Sequence, residues 1–311
     1  MDEERVLHLH HLQHQHLLAR ADLVALGHGD RRHRRGHRGE QAVGGGIGTG
    51  HGRWATTPDW GPRRTRRRRC PDGRARTAAR GLGPRALAVV AHPDDLEYGV
   101  ASAVARWTGQ GKHVAYCLVT SGEAGIDSMP PDECARVRQG EERASAAAVG
   151  VEEVEFLAHP DGLVEANVAL RRDLAVAIRR HRPDIVVSIN FRESFDFPGL
   201  NHADHRNTGW ALLDAVRDAA NRWLFPGAGG DPWSGVRFAA FGNSPRATHG
   251  VDIGDSLDRG IASLEAHRTY LDALPEGTTG TDPEPFLRGM AEQVGPRLGV
   301  RHAVAFEVIP L

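Results

Sequence analysis

The sequence predicts an α/β fold of three layers, helix–sheet–helix, around a mostly parallel sheet, behind a disordered Arg-, His- and Gly-rich segment. The boundaries are residues 83–311 for the folded domain and 1–82 for the segment. Three observations predict this. From about residue 84, short apolar runs alternate with longer helical stretches. The runs are apolar at successive residues, as strands buried on both faces are. Gly or Pro stands at many of the junctions.

Ala86 to Ala91 (ALAVVA) is the first strand, and residues 97–110 read as a helix ending at Gly109 and Gly111. His113 to Thr120 is the second strand. A helix over 132–149 follows, with Pro130 and Pro131 before it and Gly150 at its stop. Val154 to Ala158 is the third strand, and Pro183 stops the next helix, 167–181. Asp184 to Asn190 (DIVVSIN) is the fourth strand, followed by a helix at about 204–220. A strand near Val236 to Phe241, helices at 256–273 and 285–295, and a last strand from Ala303 to Ile309 complete the order. This βα alternation is that of a Rossmann-like sheet covered on both faces.

The 311 residues are 40% hydrophobic and 25% charged, ample for a buried core. A formal net charge of −1 conceals two unlike halves. Residues 1–80 carry 17 Arg against 8 acidic residues, and half of the 18 His. Their apolar residues suffice for one short helix, too little to offset the entropy of ordering, so disorder is expected. Arg without Lys also suits a GC-rich coding sequence whose start is assigned too far upstream. The Arg runs lack interleaved aromatics or a DNA-binding motif, which argues against a nucleic-acid protein. The His cluster, lacking a scaffold, would bind metal weakly.

Other classes drop out. No apolar stretch approaches about 18 residues, so no membrane span is expected. No apolar core follows a basic start, so no secretory signal is expected either. Cys70, Cys117 and Cys134 have neither the number nor the spacing of a disulfide framework or a Cys-ligated zinc site. A cytoplasmic setting is the expectation.

In such sheets ligands bind beyond the carboxyl ends of the strands. The residues there are His92, Asp94, Asp95 and Glu97 after the first strand, and Ser121 and Glu123 after the second. His159 and Asp161 follow the third, and Arg192, His202, Asp204 and His205 the fourth. A dinucleotide site needs G-x-G-x-x-G after the first strand. Here His-Pro-Asp-Asp stands there, with two charges that repel phosphate and attract a cation. His92 and Asp95 are three apart at a strand-to-helix turn, and His202 and His205 three apart at a helix start. Three of these four could hold one ion, leaving one His and Asp94 for acid–base work. The plainer alternative is that Asp94 or Asp95 merely caps the next helix.

The segment Ala91-His92-Pro93-Asp94-Asp95-Leu96-Glu97, the later His202-Ala203-Asp204-His205 and the βα order between them resemble the LmbE-like (PIG-L) zinc-dependent N-deacetylases. The resemblance covers residues 84–311. It implies a hydrolase of an N-acyl, chiefly N-acetyl, amide on an amino sugar or glycoside, using metal-activated water. It implies His92, Asp95 and His205 as ligands of Zn²⁺, with Fe²⁺ also acceptable to such a set. Asp94 would be the general base, His202 the acid or oxyanion stabiliser, and Asp204 a partner that tunes a neighbouring His. Arg138 matches the substrate-contacting Arg, and Ser121 and Glu123 could touch a sugar from the active edge. Leu200 stands where some members carry Tyr, which bears on substrate rather than chemistry.

Two other readings stay open: an amidase of a mycothiol-type conjugate, and a non-catalytic sugar-binding module on the same fold. The expected partner is a small acylated amino sugar; a homo-oligomer is neither required nor excluded by the sequence.

Overall fold

The computed structural model describes residues 22–25, 85–195 and 199–311. Among these, eight strands form one sheet in the order β1-β7-β8-β6-β5-β2-β3-β4. The chain enters the parallel part at β2 (Arg85–Val90), in its middle. It then adds β3 (His113–Leu118) and β4 (Glu153–Phe156) outward on one side. It returns to lay β5 (Ile185–Ile189) against the other side of β2, and β6 (Phe238–Gly242) against β5. The strand order therefore reverses between β2 and β5, where open α/β sheets leave a crevice for ligands.

Beyond β6 the sheet turns antiparallel. β8 (Ala303–Pro310) lies between β6 and β7 (His249–Asp252), and β1 (Val24–Ala25) pairs with β7 at the edge. β1 and β7 are additions to the expected strands. Residues 22–25 belong to the segment expected to be disordered, and Val24 and Ala25 among them pair with the sheet. The rest of that expectation, residues 1–21 and 26–82, lies outside the described residues.

Two apolar layers confirm the three-layer fold. Ala86, Ala88 and Val90 face one core with Val104, Trp107 and Phe306. Leu87 and Val89 face the other with Leu170, Leu174 and Leu212. This alternation is the strand's period of two, and both faces are buried, as the continuous apolar run implies. On the second face lie α3 (Val168–His181) and α4 (Ala203–Ala220). On the first lie α1 (Ala101–Gly109), α2 (Pro131–Ala148), α5 (Leu257–Glu265), α6 (Arg268–Ala273) and α7 (Pro283–Leu298). No helix among the described residues is long and apolar enough to cross a membrane.

Two helices depart from expectation in ways that shape the site. The helix expected from residue 97 starts only at Ala101, and the chain before it winds through successive turns. The single helix expected over 256–273 is two, broken at Ala266 and His267. The break turns His267 into the interior, where it is fully buried.

Candidate metal centre and active site

The loop after β2 is wound so that its carboxylates point inward. Asp94 has φ +92°, a left-handed value that a non-Gly residue adopts at a cost of roughly 1–3 kcal/mol. Asp95 turns back on its own strand, and its Oδ2 accepts the backbone N–H of Ala91 at 3.0 Å and of His92 at 2.9 Å. That leaves Oδ1 free. The second cluster rides on the N-terminus of α4, where His202 is the cap and its Nδ1 accepts the Asp204 N–H at 3.3 Å. Gly209 lets this helix close in, since a Cβ there would lie 2.2 Å from Phe191 Cβ.

The two segments meet. His205 Nε2 lies 3.0 Å from Asp95 Oδ1 and 3.3 Å from His92 Nδ1, and His92 Nδ1 lies 3.5 Å from Asp95 Oδ1. Donors sharing one tetrahedral ion at bonds of about 2.0–2.1 Å sit about 3.3 Å apart. Each donor is also aimed from behind. His92 Nε2 meets Asp204 Oδ2 and Asp161 Oδ1, both at 3.2 Å. His205 Nδ1 donates to Asn201 Oδ1 at 3.0 Å, which leaves the Nε2 lone pair facing the trio. Such outer partners orient imidazole ligands. His92 and His205 keep 14% and 15% of their side chains exposed, so solvent reaches them. His202 offers a nitrogen within 4.8 Å of the other two imidazoles, but its Nδ1 is committed to the helix cap.

The electrostatics favour a cation. Burial works against charge on His92, yet Asp95 and Asp204 outweigh it and hold the imidazole up at about 11. Burial also opposes charge on Asp95, but His205 and His92 hold its carboxyl well below the usual range. Asp204, with N–H groups of Gly162 and Val164 and His92 as donors, is lowered despite burial. Burial lowers His202, and the charge of His92 and His205 adds to that.

Asp94 sits beside the trio but outside it. Burial is the main cause that lifts its carboxyl to about 6, against the pull of Arg138. Arg138 Nη2 lies 3.2 Å from Asp94 Oδ2 and also donates to the Pro93 carbonyl, with the Tyr270 ring centroid 3.9 Å away. Burial, with the Asp94 charge adding to it, raises the Tyr270 hydroxyl and keeps it neutral beside that carboxyl. Behind them Glu142 Oε2 accepts the Asp94 N–H at 3.3 Å. Glu142 belongs to a wholly buried group with Glu97 and His267. Burial raises both carboxyls, and it lowers His267 to about 3, which keeps the ring neutral.

His92, Asp94, Asp95, His202, Asp204 and His205 thus gather as the sequence suggests. The expected substrate contacts are engaged elsewhere. Arg138 is 2% exposed and is spent on Asp94, Pro93 and Tyr270. Glu123 accepts the N–H of Ser121 at 3.2 Å and of Asp161 at 2.9 Å, tying two loops of the edge together. Ser121 Oγ accepts from Gln139 at 2.8 Å. His159 pairs with Asp173 and Arg192 with Glu307. Asn201, Glu142, His267 and Tyr270 were not singled out from sequence. Only Asn201 carried a signal, an amide four residues before a His at a helix start.

The family profile described as PIG-L, GlcNAc-PI de-N-acetylase, matches residues 87–216. The diacetylchitobiose deacetylase of Thermococcus kodakarensis is 30% identical over 230 residues, 72% of this chain and 82% of that protein. A 1D-myo-inositol 2-acetamido-2-deoxy-alpha-D-glucopyranoside deacetylase of Thermobispora bispora is 30% identical over 177 residues, 48% of this chain and 56% of its own length. Among solved structures, the N,N'-diacetylchitobiose deacetylase from Pyrococcus horikoshii superposes with a TM-score of 0.65 at 27% identity. That match covers 73% of this chain and 84% of the other. With the trio assembled at the strand-order reversal and these relatives alongside, the chain belongs to the PIG-L family.

Proposed function

We propose that the protein is a metal-dependent N-deacetylase of acetylated amino sugars, with zinc as its ion. The observation that carries this is the convergence of His92 Nδ1, Asp95 Oδ1 and His205 Nε2 to within 3.0–3.5 Å, with Asp94 beside them. The relatives named above point the same way, since both are deacetylases of acetamido sugars by name. A divalent ion on that trio would polarise the acyl carbonyl and make a water molecule more acidic.

The remaining steps belong to the chain's own groups. Asp94 accepts the proton of the attacking water, a role worth roughly 10²–10⁴-fold. Arg138, itself stacked on the Tyr270 ring, fixes its carboxyl, and Glu142 fixes its backbone. His202, half exposed and held by its cap with Nδ1 as acceptor, keeps Nε2–H as a donor. In this reading its Nε2–H hydrogen-bonds the developing oxyanion, and the proton that Asp94 takes from the water is the one passed to the departing amine as the C–N bond breaks. Asp204 and Asp161 keep His92 oriented. Residues 83–311 form the catalytic domain.

The test is amine release from a panel of N-acetylated mono- and disaccharides by zinc-loaded protein, with chelated protein alongside. Release that requires the ion is expected. Ion uptake without release from any acylated amine would overturn the proposal in favour of a sugar-binding module.

A further inference from the structure

Glu97, Glu142 and His267 come from three parts of the chain: the loop after β2, helix α2, and the break between α5 and α6. Their side chains are at most 1% exposed. His267 Nε2 lies 3.6 Å from Glu142 Oε2 and 3.8 Å from Glu97 Oε2. Those gaps are too long for a hydrogen bond, which fades beyond about 3.2 Å. They suit donors sharing one ion at bonds of about 2.0–2.2 Å. One donor atom from each residue lies within 4.8 Å of the other two. Both ring nitrogens of His267, Glu97 Oε2 and Glu142 Oε1 are buried without a hydrogen-bond partner.

Each carboxyl is also held by a hydrogen bond, on Oε1 of Glu97 and on Oε2 of Glu142, the Glu142 oxygen that lies 3.6 Å from His267 Nε2. Glu97 Oε1 accepts Ser145 Oγ at 2.7 Å, and Glu142 Oε2 accepts the Asp94 N–H. These bonds aim the carboxylates as outer partners aim ligands. Charge gives an independent reason. Three buried carboxylates, Asp94, Glu97 and Glu142, face one buried guanidinium, Arg138. Among the described residues Arg138 pairs with Asp94, and neither Glu97 nor Glu142 has an Arg or Lys partner, so a bound cation would supply the positive charge they lack. The Tyr116 hydroxyl is also buried without a partner.

We propose that Glu97, Glu142 and His267 bind a second divalent transition-metal ion, enclosed and structural, that braces the loop carrying Asp94. Oxygen and imidazole donors of this kind suit zinc first. Enclosure leaves no face for substrate, so this ion exchanges only when the surrounding helices open. The proposal is independent of which substrate the outer site takes.

The test uses the full chain expressed and crystallised with zinc, with diffraction recorded on both sides of the zinc edge. Two anomalous peaks are expected, one among His92, Asp95 and His205 and one among Glu97, Glu142 and His267. In solution, chelator should remove one ion quickly and the other on the order of tenfold more slowly. His267→Gln should retain only the fast one. If that variant does not fold, the wild-type peaks decide. No peak between Glu97, Glu142 and His267 overturns the proposal, whatever the outer trio holds. A second peak anywhere else overturns it too.

Discussion

Two trios of like chemistry flank one loop. The outer one, His92, Asp95 and His205, is reached by solvent, and each of its donors is oriented by a named partner. The inner one, Glu97, Glu142 and His267, is sealed and holds four polar atoms without partners. Donor type alone does not separate them. What separates them is access. On the proposed function the outer trio would exchange its ion and meet a substrate, whereas the inner trio would hold only what the fold encloses. Asp94 joins the two, with its carboxyl beside one and its N–H on the other.

Exchanging the imidazoles tests that contrast most severely. His205→Ala should abolish ion uptake at the outer trio, and with it amine release, while the melting temperature of chelated protein moves little. His267→Ala should lower that temperature, since it opens a cavity beside two buried carboxylates, a cost on the order of 2–4 kcal/mol. Thermal melts alongside metal analysis check both, and equal effects in the two variants would break the comparison.

Next comes the group between them. Asp94→Asn should lower kcat by about 10²–10⁴-fold with the outer ion retained, measured by amine release and metal content together. Full activity would remove Asp94 as the base. Asn201→Ala should weaken outer-ion affinity by about 10–100-fold, since His205 loses its orienting partner. A chelator competition measures it, and an unchanged affinity would mean that the helix alone orients the ring.

The smallest effect is graded. His92 is held near 11, so it is protonated at neutral pH in chelated protein, and an ion needs the neutral ring. Uptake therefore displaces a proton. Affinity should rise about tenfold per pH unit between pH 6 and 8, since both lie below 11. Titration calorimetry in two buffers of different ionisation heat measures the proton released. A flat profile would show that His92 is already neutral.

The parallel strands and the outer trio were legible in the sequence because local signals specify them. Apolar runs such as Ala86 to Ala91 announce buried strands, and His92 with Asp95 and His202 with His205 sit at strand ends that the topology brings together. The inner trio was not legible. Its members stand 45 and 125 residues apart along the chain, between Glu97, Glu142 and His267, within stretches that read as ordinary helix. The break at His267 has no Pro or Gly to mark it; tertiary packing overrides propensity there. Strand β7 (HGVD) is too short and too polar at its ends to register as a strand, and it exists through its pairing with β8. Arg138 reads from sequence as a group for substrate because nothing local reveals that Asp94 and the Tyr270 ring occupy it.

One feature of the sheet bears on how the protein is made. Of the described strands β8 comes latest in the chain, and it fills the slot between β6 and β7 rather than joining an outer margin. Until β8 is made, both neighbours present bare peptide edges, each a template for aggregation. A premature stop or a protease cut that removes residues 303–311 would therefore open a seam through the sheet. Whatever is joined after residue 311 must leave that strand free to slide home.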